Sequence, residues 1–326
     1  MQSLPSARAL GRSGIAVSPV GLGCWQFSEG KGFGGSFWPA LPQATVDAIV
    51  GASLAAGVTW FDTAEMYGRG RSEAALAGAL RACGRRNGDV VVATKWWPAL
   101  RTARSIRETI GERLSRLAPF GIDLHQVHQP FALSSVAAQM NAMADLVEAG
   151  KVRSVGVSNF SERRMRAAHR ALAARGIPLA ANQVRYSLLH RRIETNGVLE
   201  AAKELDVAIV AHSPLAQGIL SGKFHREPGL IGARPGPRKW LPNFRRGGME
   251  RSAPVVAGLQ EMAAALGATA SQVALAWLLR FHGNIVVVIP GATTVEQARE
   301  NAGAAELRLS DSEVRRLDDL SRAWRE

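Results

Sequence analysis

Eight short apolar runs, separated at fairly even intervals by amphipathic stretches, restrict this chain more than any other feature. The runs lie near residues 19–23 and at about 58–61, 90–94, 122–127, 152–157, 179–184, 207–211 and 284–289. Helical periodicity marks the stretches between them, including Thr45 to Ala56, Ser72 to Ala82, Ser105 to Leu117 and Ser134 to Ala149. Strands that alternate with helices pair in parallel, and both faces of a parallel sheet are covered, which accounts for runs that are apolar almost throughout. Eight such units predict an α/β fold of the (β/α)8 (TIM) barrel type. The competitor, an open doubly wound sheet, needs a Gly-rich turn between its first strand and helix. The Gly32-Phe-Gly-Gly35 cluster sits in a loop well before the helix and lacks that spacing.

Additions to the barrel are legible at both ends. Leu10 to Val17 reads as an N-terminal β-hairpin with its turn at Arg12 to Gly14. Ser252 to Leu266 and Thr269 to Arg280 give two helices before the eighth strand, and Ser310 to Ala323 gives an extra C-terminal one. With no short-period repeat and no low-complexity tract, residues 1–326 are expected to form one domain.

Composition excludes several classes. Hydrophobic residues make up 47% of the chain, ample for a core and too many for a disordered chain. The net charge of +13 invites a nucleic-acid reading, but arginines are interspersed with acids on helical segments such as Ser161 to Arg170, as on a solvated helix face. Cys24 and Cys83 cannot build a disulfide framework, and neither has metal-ligand spacing around it. The first residues lack the apolar core of a signal peptide, and no later run is long and apolar enough to span a bilayer. A cytoplasmic protein without nucleic-acid, membrane or metal partners is expected, its oligomeric state open. The segment from Lys223 to Arg251 stands apart: Lys223, Arg226, Arg234, Arg238, Lys239, Arg245, Arg246 and Arg251 face only Glu227 and Glu250. Rich in Gly and Pro, it reads as a long loop, either a basic lid over a phosphate-bearing ligand or a solvated insertion.

In a barrel, chemistry gathers at the carboxyl ends of the strands. Asp62 ends the second run and Tyr67 follows in the loop beyond it; Lys95, His128 and Asn159 end later runs. Taken singly, Asp62 reads equally as a carboxylate accepting backbone hydrogen bonds, and Tyr67 as a packed loop aromatic. Convergence of a carboxylate, a phenol, an ammonium and an imidazole is what suggests a site. The turns after the last two strands, within Ala211 to Lys223 and Ile289 to Thr294, are rich in small residues and suited to presenting N–H groups to an anion. His125 lies an odd number of residues from His128, faces the other side of its strand and reads as a packed structural histidine.

The residues resemble those of an aldo-keto reductase. The likeness rests on Phe61-Asp-Thr-Ala-Glu-Met-Tyr-Gly68, Ala93-Thr-Lys95, Asp123-Leu-His-Gln-Val-His-Gln-Pro130, Gly156-Val-Ser-Asn-Phe160, Asn182-Gln-Val-Arg-Tyr-Ser187, Ser213-Pro-Leu-Ala-Gln-Gly218, Ile289-Pro-Gly291 and Glu300-Asn301. By that resemblance Asp62, Tyr67, Lys95 and His128 are the catalytic tetrad of an NAD(P)H-dependent oxidoreductase that reduces an aldehyde or ketone. Free phenols have a pKa of about 10, so Lys95 is expected to stabilise the phenolate and make Tyr67 a general acid.

The resemblance also places Ser158, Asn159 and Gln183 on the nicotinamide carboxamide, Tyr186 against its ring, and Ser213, Leu215, Gln217, Gly218 and Lys223 along the pyrophosphate. Glu300 and Asn301 are expected at the adenine. Among loop aromatics, Trp25 and Trp97 are expected to wall the substrate, with Phe33, Trp38 and Trp96 either joining them or sealing the rim. The family's usual NADPH phosphate is gripped by basic residues after the eighth strand, where this chain has Gly291, Thr293, Thr294 and Gln297. NADPH is therefore expected with weak discrimination, NADH remaining possible. Three other readings stay open: a Schiff-base aldolase using Lys95, a cofactor-binding regulatory subunit with little turnover, and a sugar or polyol dehydrogenase running oxidatively.

Overall fold

In the computed structural model, which describes residues 7–32, 35–233 and 236–326 without the side chains of Pro237 and Arg238, the chain opens on an antiparallel hairpin. Its strands are β1 (Arg8–Ala9) and β2 (Ala16–Val17), paired as the expected turn at Arg12 to Gly14 requires. Phe33 and Arg234 lie outside the described residues, as does the side chain of Arg238.

The eight predicted runs become β3 (Leu22–Gly23), β4 (Trp60–Asp62), β5 (Val91–Trp96), β6 (Leu124–Val127), β7 (Ser154–Ser158), β8 (Leu179–Arg185), β9 (Ala208–His212) and β10 (Val286–Ile289). Each pairs in parallel with the next. Bridges from Val20 to Val288 and from Gly23 to Gly291 join the first to the last and close the barrel. The helices α1 (Gln43–Ala55), α2 (Arg71–Ala82), α3 (Arg104–Leu117), α4 (Val136–Glu148), α5 (Glu162–Ala173) and α6 (Val198–Leu205) alternate with the strands. Two single turns, α7 (Lys223–Arg226) and α8 (Gly229–Gly232), precede α9 (Arg246–Leu266) and α10 (Ala270–Phe281). The chain ends on α11 (Val295–Gly303) and α12 (Asp311–Ser321), the latter started by a Ser310 and Glu313 capping box. Among the described residues no single helix is long and apolar enough to cross a membrane.

Strand alternation builds two cores. Outward-facing residues pack under the helices, while Trp60, Ala93, Leu124, Ala181, Ala208 and Val210 fill the barrel interior. Trp60 is the large member of that inner set, and small partners leave it room; a Cβ on Gly21 would lie 2.4 Å from its ring. The hairpin closes the amino end of the barrel by burying Leu10, Ile15 and Val17 against this inner core. Each such side chain contributes about 1.5–3 kcal/mol of burial, so among the described residues the amino end is plugged, and the large cavity lies at the carboxyl ends of the strands.

The basic segment departs from the loop reading. Short helical turns occupy much of it, and α9 starts at Arg246, six residues before Ser252. Gly247 and Gly248 look like breakers in sequence, but a Cβ on Gly248 would meet the Pro242 carbonyl oxygen at 2.4 Å. Close approach of two backbones, rather than helix termination, explains that glycine.

Candidate active site

At the open end, β4, β5 and β6 bring the predicted tetrad together. Lys95 is wholly buried and donates to Asp62 Oδ1 at 2.5 Å, to the Thr63 carbonyl at 2.9 Å and to Tyr67 Oη at 3.4 Å. The His128 ring meets the Tyr67 ring edge-on, with centroids 5.5 Å apart. The other carboxylate oxygen of Asp62 accepts from Gln183 at 2.8 Å and from Gln126 at 3.2 Å. Gln126 was not singled out from sequence, although its even spacing from His128 puts both on the inward face.

Burial sets the protonation states. It lowers the pKa of Lys95, but Asp62 and Tyr67 outweigh it and the net shift is upward, so the amine is a cation. The Tyr67 phenol is pushed above its ordinary value by burial, and Lys95 offsets this only in part. The phenol therefore keeps its proton near neutrality, with the Lys95 ammonium beside its oxygen. His128 falls well below the usual imidazole range through burial, Lys95 and His212, and is neutral. The Cys24 thiol, on the same wall, is raised by burial and by Asp62, which makes it a poor nucleophile.

A second buried network supports the loop that carries Tyr67. Glu65 accepts from the Trp97 backbone N–H at 2.6 Å and is bridged by Arg101 and Arg113. Arg113 also reaches Glu73 at 2.9 Å, which ties α2 and α3 to the loop that carries Tyr67. The packing reading of His125 agrees with its place: it is buried, and burial and Arg113 lower its pKa to about 3.

An elongated cavity of about 1240 Å³ runs from the tetrad across the ends of the last strands. Drug-sized ligands take roughly 300–1,000 Å³, so a dinucleotide and a small substrate fit together. Ser158, Asn159 and Gln183 line it beside the tetrad. Ser213, Leu215, Gln217, Gly218 and Lys223 line its middle, and Gly291, Thr293, Gln297, Glu300 and Asn301 its far end. The turn after β9 is bent by positive φ at Ser213, Ala216, Gln217 and Gly218. Gly291 leaves room for the Gln26 amide, whose nitrogen would sit 2.1 Å from a Cβ there. Thr293 spends its backbone N–H and its hydroxyl on Gln297 Oε1, and Thr269 donates to Glu300 at 2.6 Å.

Trp25, Trp38 and Trp97 form the aromatic wall beside Tyr67 and His128, with Trp25 stacked 6.0 Å from Tyr67 and Trp97 edge-on to His128 at 5.3 Å. Trp96 is buried instead, donating to Ser105 at 3.1 Å.

Tyr186 is the predicted residue that the structure does not bring to the cavity. Inward-facing Gln183 and Arg185 alternate with it, so its ring turns outward, packs on Trp277 and His282, and donates to Glu194 at 2.7 Å. His212, the last residue of β9, lines the cavity in its stead and bonds Asn159 Oδ1 at 3.1 Å. The signal for His212 was present, a titratable side chain ending a strand run, but it lay within a stretch read for backbone N–H groups.

A model of the Aldo/keto reductase family matches residues 19–322. The chain belongs to this family. It is 39% identical over 310 residues to an oxidoreductase of Mycobacterium tuberculosis, covering 95% of this chain and 91% of that one. Among solved structures, an aldo-keto reductase of Klebsiella pneumoniae in complex with NADPH superposes with a TM-score of 0.74 at 28% identity, over 96% of this chain and 94% of that one. A glycerol dehydrogenase of Gluconobacter oxydans gives a TM-score of 0.82 at 25% identity, covering 100% and 98%. As an aldo-keto reductase the protein is an oxidoreductase, built on the barrel that its strand pattern predicts.

Proposed function

We propose that this aldo-keto reductase reduces an aldehyde or ketone to an alcohol with a reduced nicotinamide dinucleotide, and that Tyr67 is the proton donor. The observation that carries the reading is the Asp62, Lys95 and Tyr67 relay, whose Asp62 and Tyr67 line a cavity with volume enough for a dinucleotide. A reduced nicotinamide held there by Ser158, Asn159 and Gln183 would supply the hydride. Tyr67, protonated near neutrality, gives its proton to the carbonyl oxygen. Lys95 stabilises the phenolate left behind, and Asp62 with its two amide donors holds the ammonium in place. Neutral His128 offers a hydrogen bond that orients the oxygen between Tyr67 and Trp97.

Gln183 gives an amide N–H to Asp62 and has its carbonyl oxygen left for a carboxamide, while Ser158 and Asn159 stand beside it. The aromatic wall suits a carbonyl compound with an apolar body. The same groups run the reverse reaction, and the likeness to a glycerol dehydrogenase keeps alcohol oxidation within this reading. NADPH is the proposed partner, supported by the Klebsiella likeness and the net charge of +13. Its grip is weak: among the described residues at the far end, Thr269, Thr293, Gln297, Glu300 and Asn301 offer no cation. A Schiff-base role for Lys95 finds no support, since a protonated amine is not a nucleophile. Incubating purified protein with NADPH or NADH and a panel of aldehydes and ketones, and following loss of reduced-nicotinamide absorbance, tests the proposal. Binding without turnover across the panel would favour a regulatory subunit.

A further inference from the structure

Arg185 closes β8 two positions beyond Gln183, on the same inward-facing row. It lines the cavity next to its register partner, His212. Other arginines withdrawn from solvent have acceptors to hold them: Arg113 has Glu65 and Glu73, Arg191 has Glu194 and Asp318, and Arg8 donates to the carbonyls of Gly283, Val286 and Leu279. Arg185 has none. Among the described residues it forms no ion pair and donates no side-chain hydrogen bond, and no acid raises its pKa against the lowering by burial. Its charge instead depresses the neighbouring His212 and His190. An unpaired, half-buried guanidinium costs free energy in the free protein, and a ligand anion that reaches it returns that cost.

We propose that Arg185 binds an oxyanion of the ligand held in the cavity, either the diphosphate of the dinucleotide or a carboxylate carried by the carbonyl substrate. The inference rests on the oxidoreductase reading above and adds a residue to it. Its place supports both sources. The next strand, β9, leads directly into the Ser213 to Lys223 turn, while Gln183 on its own strand reaches Asp62. Guanidinium is suited to either anion because its donors form a planar fork that matches two oxygens at once.

The test compares Arg185→Gln and Arg185→Lys with the native protein. One arm titrates NADPH, NADH and ADP-ribose by tryptophan fluorescence; the other measures KM for benzaldehyde and for 4-carboxybenzaldehyde. A loss on the order of tenfold or more in Arg185→Gln is expected in one arm, with partial recovery in Arg185→Lys. Loss for all three nucleotides assigns the diphosphate, and loss for 4-carboxybenzaldehyde alone assigns the carboxylate. The ligand-free Tm of Arg185→Gln is expected to equal or exceed the native value, because an unpaired charge has been removed. Native-like constants in both arms, or a ligand-free Tm several degrees lower, would overturn the anion site. Native protein that binds no dinucleotide overturns the underlying reading instead, so the two failures are distinguishable.

Discussion

In the proposed reduction Tyr67 and Lys95 carry complementary demands, since the phenol would hold its proton until the carbonyl oxygen needs it and the ammonium would then stabilise the anion. Tyr67→Phe is expected to lower turnover by roughly 10²–10⁴-fold while dinucleotide affinity stays within about twofold, because the lost hydroxyl faces Lys95 and the substrate space. Initial rates and a fluorescence titration check this; near-normal turnover would remove Tyr67 from the acid role. Lys95→Met should be similarly inactive. Buried histidines make a separate prediction. His125 and His128 have pKa values below the ordinary imidazole value of about 6.5, so below that pH the unfolded chain binds protons that the folded one refuses. Each then removes about 1.4 kcal/mol of stability per pH unit. Glu73 acts in the opposite sense: its pKa, raised by burial to about 7, makes the folded state the better proton binder between the ordinary carboxylate range and neutrality. The two histidines outweigh the single acid, so Tm should fall as pH drops from 6.5 toward 5. A Tm that stays flat or rises over that window would overturn this expectation, because the histidines would then fail to outweigh Glu73.

At the scale of elements, the basic segment after β9 is tied together by contacts between its two halves, among them His225 to Ser252 at 3.1 Å. Phe224 on α7 and Phe244 pack edge-on at 5.3 Å and pin its two ends together. Between and beside them Arg226 and Arg245 are exposed, and Lys223 and Arg226 also line the cavity. A bound diphosphate is expected to draw these cations inward. Limited trypsin digestion should therefore cut at Arg226 or Arg245 in the free protein and slow markedly with saturating NADPH. Equal cleavage rates in both states would make the segment a passive insertion. The sequence shows its charge plainly; it does not show that Gly247 and Gly248 continue a helix, because a glycine that stops a helix and one that admits a neighbouring backbone are the same residue until the neighbour is placed.

Over the whole molecule, the positive charge and the lack of a cation among the described residues at the far end of the cavity lead to one more expectation. With hydroxyls and amides rather than cations at the end where an adenosine phosphate would lie, NADPH preference should come mostly from the long-range field, which salt screens. The ratio of kcat/KM for NADPH and NADH should favour NADPH modestly at low salt and shrink at high salt; an NADH preference at both would sink the idea. Periodicity was enough to specify the eight strands, their parallel order and the open end, since backbone geometry imposes periods of 2 and 3.6 on any buried face. Asp62, Tyr67, Lys95 and His128 were legible for the same reason: each ends a strand or follows one. What depended on tertiary structure was direction and company. Tyr186 and His212 both stand near strand ends, and only the register that pairs Arg185 with His212 turns one outward to Glu194 and the other into the cavity. Gln126 and Gln183 share one oxygen of Asp62 across 64 and 121 residues of chain. Local sequence cannot specify such meetings, because they exist only once the sheet has closed on itself and every strand has taken a single register.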